Sequence, residues 1–194
     1  KLGPGLDRDL LPADAEAPWV SVDGAVVETG VWFGAAATPG VGRSALVFRG
    51  GEAHELAAPA DSPDVEVRPA GEFLYEPDGA VIRARLIGLL ADELGAGMLS
   101  DGIAYFTADH AVATPFASGF RVLEELPAKE KELRRALAER GIGRLEIKKR
   151  GVDVDPAALR TRLKLRGDAS GTLIVTRASG RHVAYLAERL APLG

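Results

Sequence analysis

From Gly119 to the end of the chain, apolar runs of period two alternate with segments of helical period, and turn residues mark each change. FRVLEEL (120–126) reads as a strand. AKEKELRRALAER (128–140) reads as a helix that turns Leu133, Ala136 and Leu137 inward and stops at Gly141. RLEIKKR (144–150) is a strand with Leu145 and Ile147 on one face and Arg144, Glu146 and Lys148 on the other, which is expected to be solvated. Asp155-Pro156 opens a second helix, the carboxylate capping the first turn and the proline preset for it. Leu159 and Leu163 face inward there, and Gly167 is the expected stop. TLIVTR (172–177), a Ser179-Gly180 turn and RHVAYLAERL (181–190) close the chain as a hairpin. A β-α-β-α-β-β order restricts the answer to an α+β unit in which one sheet lies under two helices.

The upstream half is patterned differently. Residues 1–18 carry several breakers and no periodicity, and look like the continuation of an earlier fold. From Trp19 the pattern is β: Asp23-Gly24 and Gly50-Gly51 are two-residue hairpin turns of the type needing positive φ twice. The strands on either side are Trp19–Val22 with Val26–Phe33, and residues 45–48 with 52–56, an N-terminal antiparallel β meander. The three prolines of AAPADSPDVEVRPAG (57–71) mark the internal boundary. GEFLYEP (71–77) is a short strand, Asp78 sits at an N-cap position, and one helix is expected over 81–94 with Gly95 as its stop. IAYFTA (103–108) is a strand; Tyr105, Phe106 and Phe116 read as core.

Charge divides the chain the same way. Residues 1–119 hold 7 basic and 18 acidic side chains, a net of −11, while residues 120–194 hold 17 and 10, a net of +7. The overall −4 conceals a cationic unit joined to an acidic body, an asymmetry that suits a polyanion-facing module. No run approaches the ~18 apolar residues of a membrane-spanning helix, and the start lacks a secretory layout, so a cytoplasmic protein is expected. With no cysteine and three scattered histidines (His54, His110, His182), disulfides, thiolate chemistry and metal-ligand spacings are excluded.

The strongest candidate site is the basic run at 144–166: Arg144, Lys148, Lys149, Arg150, Arg160, Arg162, Lys164 and Arg166 against Glu146, Asp153 and Asp155. Arg160 with Lys164, and Arg162 with Arg166, are four apart and are expected to stack on exposed helix faces. Phosphate contacts supply most sequence-independent affinity for nucleic acid, and guanidinium forks grip phosphate bidentately. Tyr185 is the one aromatic near the unit's end, so backbone or shape recognition is favoured over base stacking. The competing reading of the cluster is a solvated, dipole-matched surface, or a patch that meets an acidic protein. Elsewhere the signals are thin. Gly3-Pro4-Gly5 could be the remnant of a glycine-rich ligand loop, although no G-x-G-x-x-G or Walker sequence accompanies it. Glu76 with Asp78 could pair as carboxylates, although Asp78 is more simply a cap. Asp109-His110 has no nucleophile in a local signature. No set of catalytic or metal-binding residues is assembled.

Three segments carry a family resemblance: FLYEPDGAVIRA (73–84), TPFASGFRVLEELP (114–127) and GIGRLEIKKRGVDVDPAALRTRLKLRGD (141–168). Together they resemble the C-terminal region of bacterial class I S-adenosylmethionine-dependent methyltransferases with a THUMP-like domain. KLGPGLD (1–7) and WVSVDGAVVETGVWFG (19–34) resemble the closing strands of that family's catalytic domain. The resemblance implies a Rossmann-like methyltransferase remnant over 1–60, a ferredoxin-like segment over 61–118 and a THUMP-like domain over 119–194. It implies an RNA partner, structured and of the tRNA or rRNA kind, and a catalytic N-terminal part outside this chain. S-adenosylmethionine is implied for the full-length parent and no cofactor for this portion, which lacks the glycine-rich loop and ribose-binding acid of the family. The chain by itself is therefore expected not to methylate.

Overall fold

The computed structural model describes residues 1–191; the last three residues of the expected THUMP-like segment lie outside them. Two sheets organise the chain. The smaller holds β1 (Ala17–Val22), β2 (Ala25–Thr29), β3 (Arg43–Arg49) and β4 (Glu52–Ala58) in the order β2-β1-β3-β4. Both expected hairpins form, with Asp23 and Gly24 at φ 48° and 86° and Gly50 and Gly51 at 62° and 84°. The hairpins are joined by a parallel pairing of β1 with β3, so the sheet is two antiparallel hairpins side by side rather than a simple meander. Two details differ from the sequence expectation. The return strand ends at Thr29, leaving Trp32 and Phe33 half exposed, and Trp32 forms an isolated bridge with Glu16. The leading residues are not idle, because Leu2 exchanges two backbone hydrogen bonds with Thr29 at 2.8 and 3.1 Å.

The larger sheet contains β5 (Phe73–Pro77), β6 (Gly97–Ser100), β7 (Ile103–Ala108), β8 (Ala117–Leu126), β9 (Ile142–Lys149), β10 (Ala169–Ala178) and β11 (Arg181–Arg189). Its order is β6-β7-β5-β8-β11-β10-β9, unbroken from residue 73 to residue 189. Four helices accompany it: α1 (Gly79–Arg83), α2 (Ile87–Leu94), α3 (Glu130–Glu139) and α4 (Pro156–Leu163). The single helix expected over 81–94 is two. Arg85 adopts a left-handed φ of 59°, which breaks the hydrogen-bond ladder between α1 and α2, while Gly95 ends α2 as expected. Asp78 caps α1 by accepting from the Ala80 N–H at 2.9 Å, and Asp155 caps α4 by accepting from Ala158 N–H at 2.7 Å. The α4 stop is earlier than Gly167: Lys164 is already left-handed at φ 49°.

Alternation along the strands feeds opposite cores. Tyr75, Phe106 and Met98 face α1 and α2, which pack in turn on Trp19, Ala45 and Val47 of the smaller sheet. Farther along the same sheet, Leu145, Ile147, Leu173 and Leu186 lie under α3 and α4 with Leu133, Leu137, Leu159 and Leu163. The opposite face, with Leu74, Leu99, Tyr105, Phe120, Ile174, Val183, Tyr185 and Ala187, has no helical cover and is closed by the sheet's own curvature. The hairpin turn between β10 and β11 reaches the far edge, where Ser179 N–H donates to Leu99 O at 3.0 Å and Gly180 N–H to Ser100 Oγ at 3.1 Å. Here too both turn residues are left-handed, Ser179 at 47° and Gly180 at 77°.

Candidate nucleic-acid interface

β9 is an edge strand, and its side chains distribute the basic run over three places. On the helix-covered side, Arg162 pairs with Glu130 of α3 at 2.8 Å. Lys149, Lys164 and Arg166 are exposed and have no ion-pair partner among the described residues. At the open edge, Arg160 donates to Leu145 O at 3.1 Å, and Arg144 donates to Asp168 O at 2.9 Å and Ser170 Oγ at 3.0 Å. Arg160 thus occupies a carbonyl of the edge strand, while Arg144 reaches across to the start of β10. The expected i,i+4 stacking of Arg160 on Lys164 and of Arg162 on Arg166 is not made, because α4 ends at Leu163 and both partners lie beyond its last turn.

The third place is a cleft. The face of β9 expected to be solvated is the curled face, and there Lys148 Nζ meets a Glu76 carboxylate oxygen from β5 at 3.0 Å. Arg150 lies 3.9 Å from the same carboxylate, with its guanidinium 5.9 Å from the Tyr105 ring centroid. Arg189, at the end of β11, stands 4.9 Å over the Phe120 ring and pairs with Glu146 at 2.8 Å. From the smaller sheet Arg49 approaches, donating to Ala117 O at 3.2 Å and facing the fully buried Asp78 carboxylate at 3.6 Å. The cleft has a volume of about 820 Å³ and is walled by the Asp23-Gly24 turn, residues 111–114 and residues 117–119. Burial, with the Glu76 carboxylate beside it, pushes the Tyr105 phenol far above its ordinary range. Arg49, Arg189 and the role of Glu76 lie outside the basic run; their signal in the sequence is only that Arg49 and Arg189 end strands and Glu76 stands next to the last residue of one.

The remaining candidates are structural. Gly3-Pro4-Gly5 forms a turn whose Pro4 carbonyl accepts from Arg83 at 2.9 Å. Asp109 pairs with Arg68, and Tyr105, Phe106 and Phe116 are buried. Among the described residues no three His, Asp or Glu groups are placed to hold a metal, and no helix is long and apolar enough to cross a membrane.

The β-α-β-α-β-β unit starts at Ala117 and ends at Arg189, and these are also the limits of a family match described as "THUMP domain-like". Residues 117–189 are a THUMP-like region. Over 189 residues the chain is 35% identical to proteins described as uncharacterized S-adenosylmethionine-dependent methyltransferases in two strains of Mycobacterium tuberculosis. The alignment takes in 96% of this chain but 51% of theirs, so the chain spans about half the length of these relatives. A crystal structure from Porphyromonas gingivalis, described as that of a candidate methyltransferase, shares the fold. Its TM-score is 0.74 at 20% identity, over 98% of this chain and 50% of that one. The chain thus has a family-level link to S-adenosylmethionine-dependent methyltransferases and carries a THUMP-like region.

The parallel crossover of this chain does not fit S-adenosylmethionine. The parallel crossover β9–α4–β10 is where a nucleoside cofactor would meet a helix N-terminus. In this chain the Asp155 carboxylate caps that terminus by accepting from Ala158 N–H, and Asp153 stands two residues before it, so an anionic ligand would meet negative charge there.

Proposed function

We propose that this chain is the RNA-docking, non-catalytic portion of a cytoplasmic S-adenosylmethionine-dependent RNA methyltransferase whose cofactor and catalytic residues lie in a separate part of a longer protein. The carrying observation is the alignment of nearly all of this chain to only half of relatives described as uncharacterized S-adenosylmethionine-dependent methyltransferases. In this reading residues 1–60 are the closing strands of the catalytic domain, 61–118 a ferredoxin-like connection and 119–194 the docking domain.

The chemistry of docking follows from the layout of charge. Among the described residues Lys149, at the end of β9, and Lys164 and Arg166, just past α4, are exposed without ion-pair partners, and Arg160 and Arg162 lie on α4 itself. Such a row follows a phosphate backbone without reading bases, and Arg144, Lys148 and Arg150 extend it around the β9 edge. Binding of structured RNA should weaken steeply with salt, log K falling by about 0.7–0.9 per phosphate contacted for each tenfold rise in salt. Lys149→Glu, Lys164→Glu and Arg166→Glu together should lower affinity for unrelated RNAs alike and flatten that slope. RNA affinity that ignores both salt and the triple substitution would refute docking, and tight binding to an acidic protein surface instead would mark an interaction module.

A further inference from the structure

The cleft at the mouth of the curled sheet offers more than backbone docking. Its cations come from separate strand ends, Arg49 from β3, Lys148 from β9, Arg150 from just after β9 and Arg189 from β11. Each is held in place by a carboxylate, a carbonyl or an aromatic ring rather than left free in solvent. Arg150 Nε is buried with no hydrogen-bond partner among the described residues, so the terminal amino groups of its guanidinium are the ones that would meet a ligand. The volume of about 820 Å³ lies within the ordinary range of small-molecule sites. Pro77, Val112 and Leu190 supply apolar wall. The Glu76 carboxylate sits among the cations and is only 19% exposed. A bare phosphate would meet that negative charge, whereas a ligand with an anionic end and an N–H-bearing end would satisfy both.

We infer that this cleft binds a single nucleotide, its phosphate against Lys148, Arg150 and Arg189 and an amino-bearing base edge toward Glu76. The source is either a nucleotide splayed from the docked RNA or a free mononucleotide. The first of these rests on the docking proposal. Arg49 is a positioning residue: its contacts with Asp78 and Ala117 O hold the smaller sheet against the cleft.

Calorimetric titration of the chain with adenosine 5′-monophosphate, uridine 5′-monophosphate, inorganic phosphate and a short single-stranded oligoadenylate tests this. Saturable adenylate binding, about tenfold tighter than phosphate, is expected. Arg189→Gln and Lys148→Gln should each weaken it about tenfold, the loss of one charge-assisted hydrogen bond, in protein that still melts cooperatively. Glu76→Gln should abolish the preference for adenylate over uridylate. Oligoadenylate that displaces the mononucleotide identifies the RNA strand as source, and failure to displace it identifies the free nucleotide. The inference falls if no probe saturates, if phosphate matches adenylate, or if adenylate affinity ignores both cleft substitutions. RNA binding that responds to Lys164→Glu and Arg166→Glu while the cleft stays silent would leave docking standing and remove the nucleotide site.

Discussion

Lys148 and Glu76 are 3.0 Å apart although β8, β11 and β10 lie between their strands in the sheet. At about 4.8 Å per strand a flat sheet would hold them roughly 19 Å apart. The two side chains together do not span that gap, so the ion pair requires the sheet to curl. A double-mutant cycle with Glu76→Gln and Lys148→Gln should return a coupling of about 0.5–3 kcal/mol in urea unfolding, the range for groups in contact. Zero coupling would show that the pair merely follows a curvature fixed by Leu74, Tyr105, Phe120 and Ile174.

Arg49 faces a carboxylate that is wholly out of solvent. Arg49→Ala leaves Asp78 without its cation and should cost about 3–5 kcal/mol, as when one partner of a buried pair is removed. Asp78→Asn should cost less, since asparagine also caps helices and brings no orphaned charge. Equal losses in denaturant melts would contradict this account of the seam.

At Gly143 the constraint is backbone against backbone. A Cβ there would stand 1.8 Å from Gly167 O, where the start of β9 passes the loop after α4. Gly143→Ala should lower the melting temperature sharply and loosen the α4–β10 loop in hydrogen exchange. Gly5→Ala, with nothing within 4 Å of the added carbon, should be near neutral.

All three tyrosines are shifted the same way. Tyr75, Tyr105 and Tyr185 have raised pKa values, chiefly through burial. In the unfolded chain they ionise near pH 10. The folded state holds its protons longer, so this contribution to stability is complete below about pH 10 and is lost as pH rises beyond it. Absorbance titration should find little tyrosinate in native protein at pH 10, with ionisation coinciding with unfolding at higher pH. A normal titration curve at constant fold would overturn the burial argument.

What the residues announced by themselves was local. The Asp23-Gly24, Gly50-Gly51 and Ser179-Gly180 turns, the caps at Asp78 and Asp155 and the inward Leu133, Leu137, Leu159 and Leu163 depend on neighbours a few positions away. The β1–β3 pairing, the break at Arg85 and the encounter of Lys148 with Glu76 depend on partners distant in sequence, and no period encodes them. For the same reason the basic run was visible as composition while its division was not. Alternation along β9 places Lys148 and Lys149 on opposite faces, but only the curl decides that one of those faces is a cleft.

The sheet runs unbroken through residues 73–189, so the THUMP-like region borrows part of its inner core from upstream. Leu74, Leu99 and Tyr105 pack against Phe120, Ile174 and Tyr185. Cut out at residue 117, the region would present the β8 edge and an oily concavity to water. It should then self-associate, so the smallest piece able to live alone begins upstream of β5.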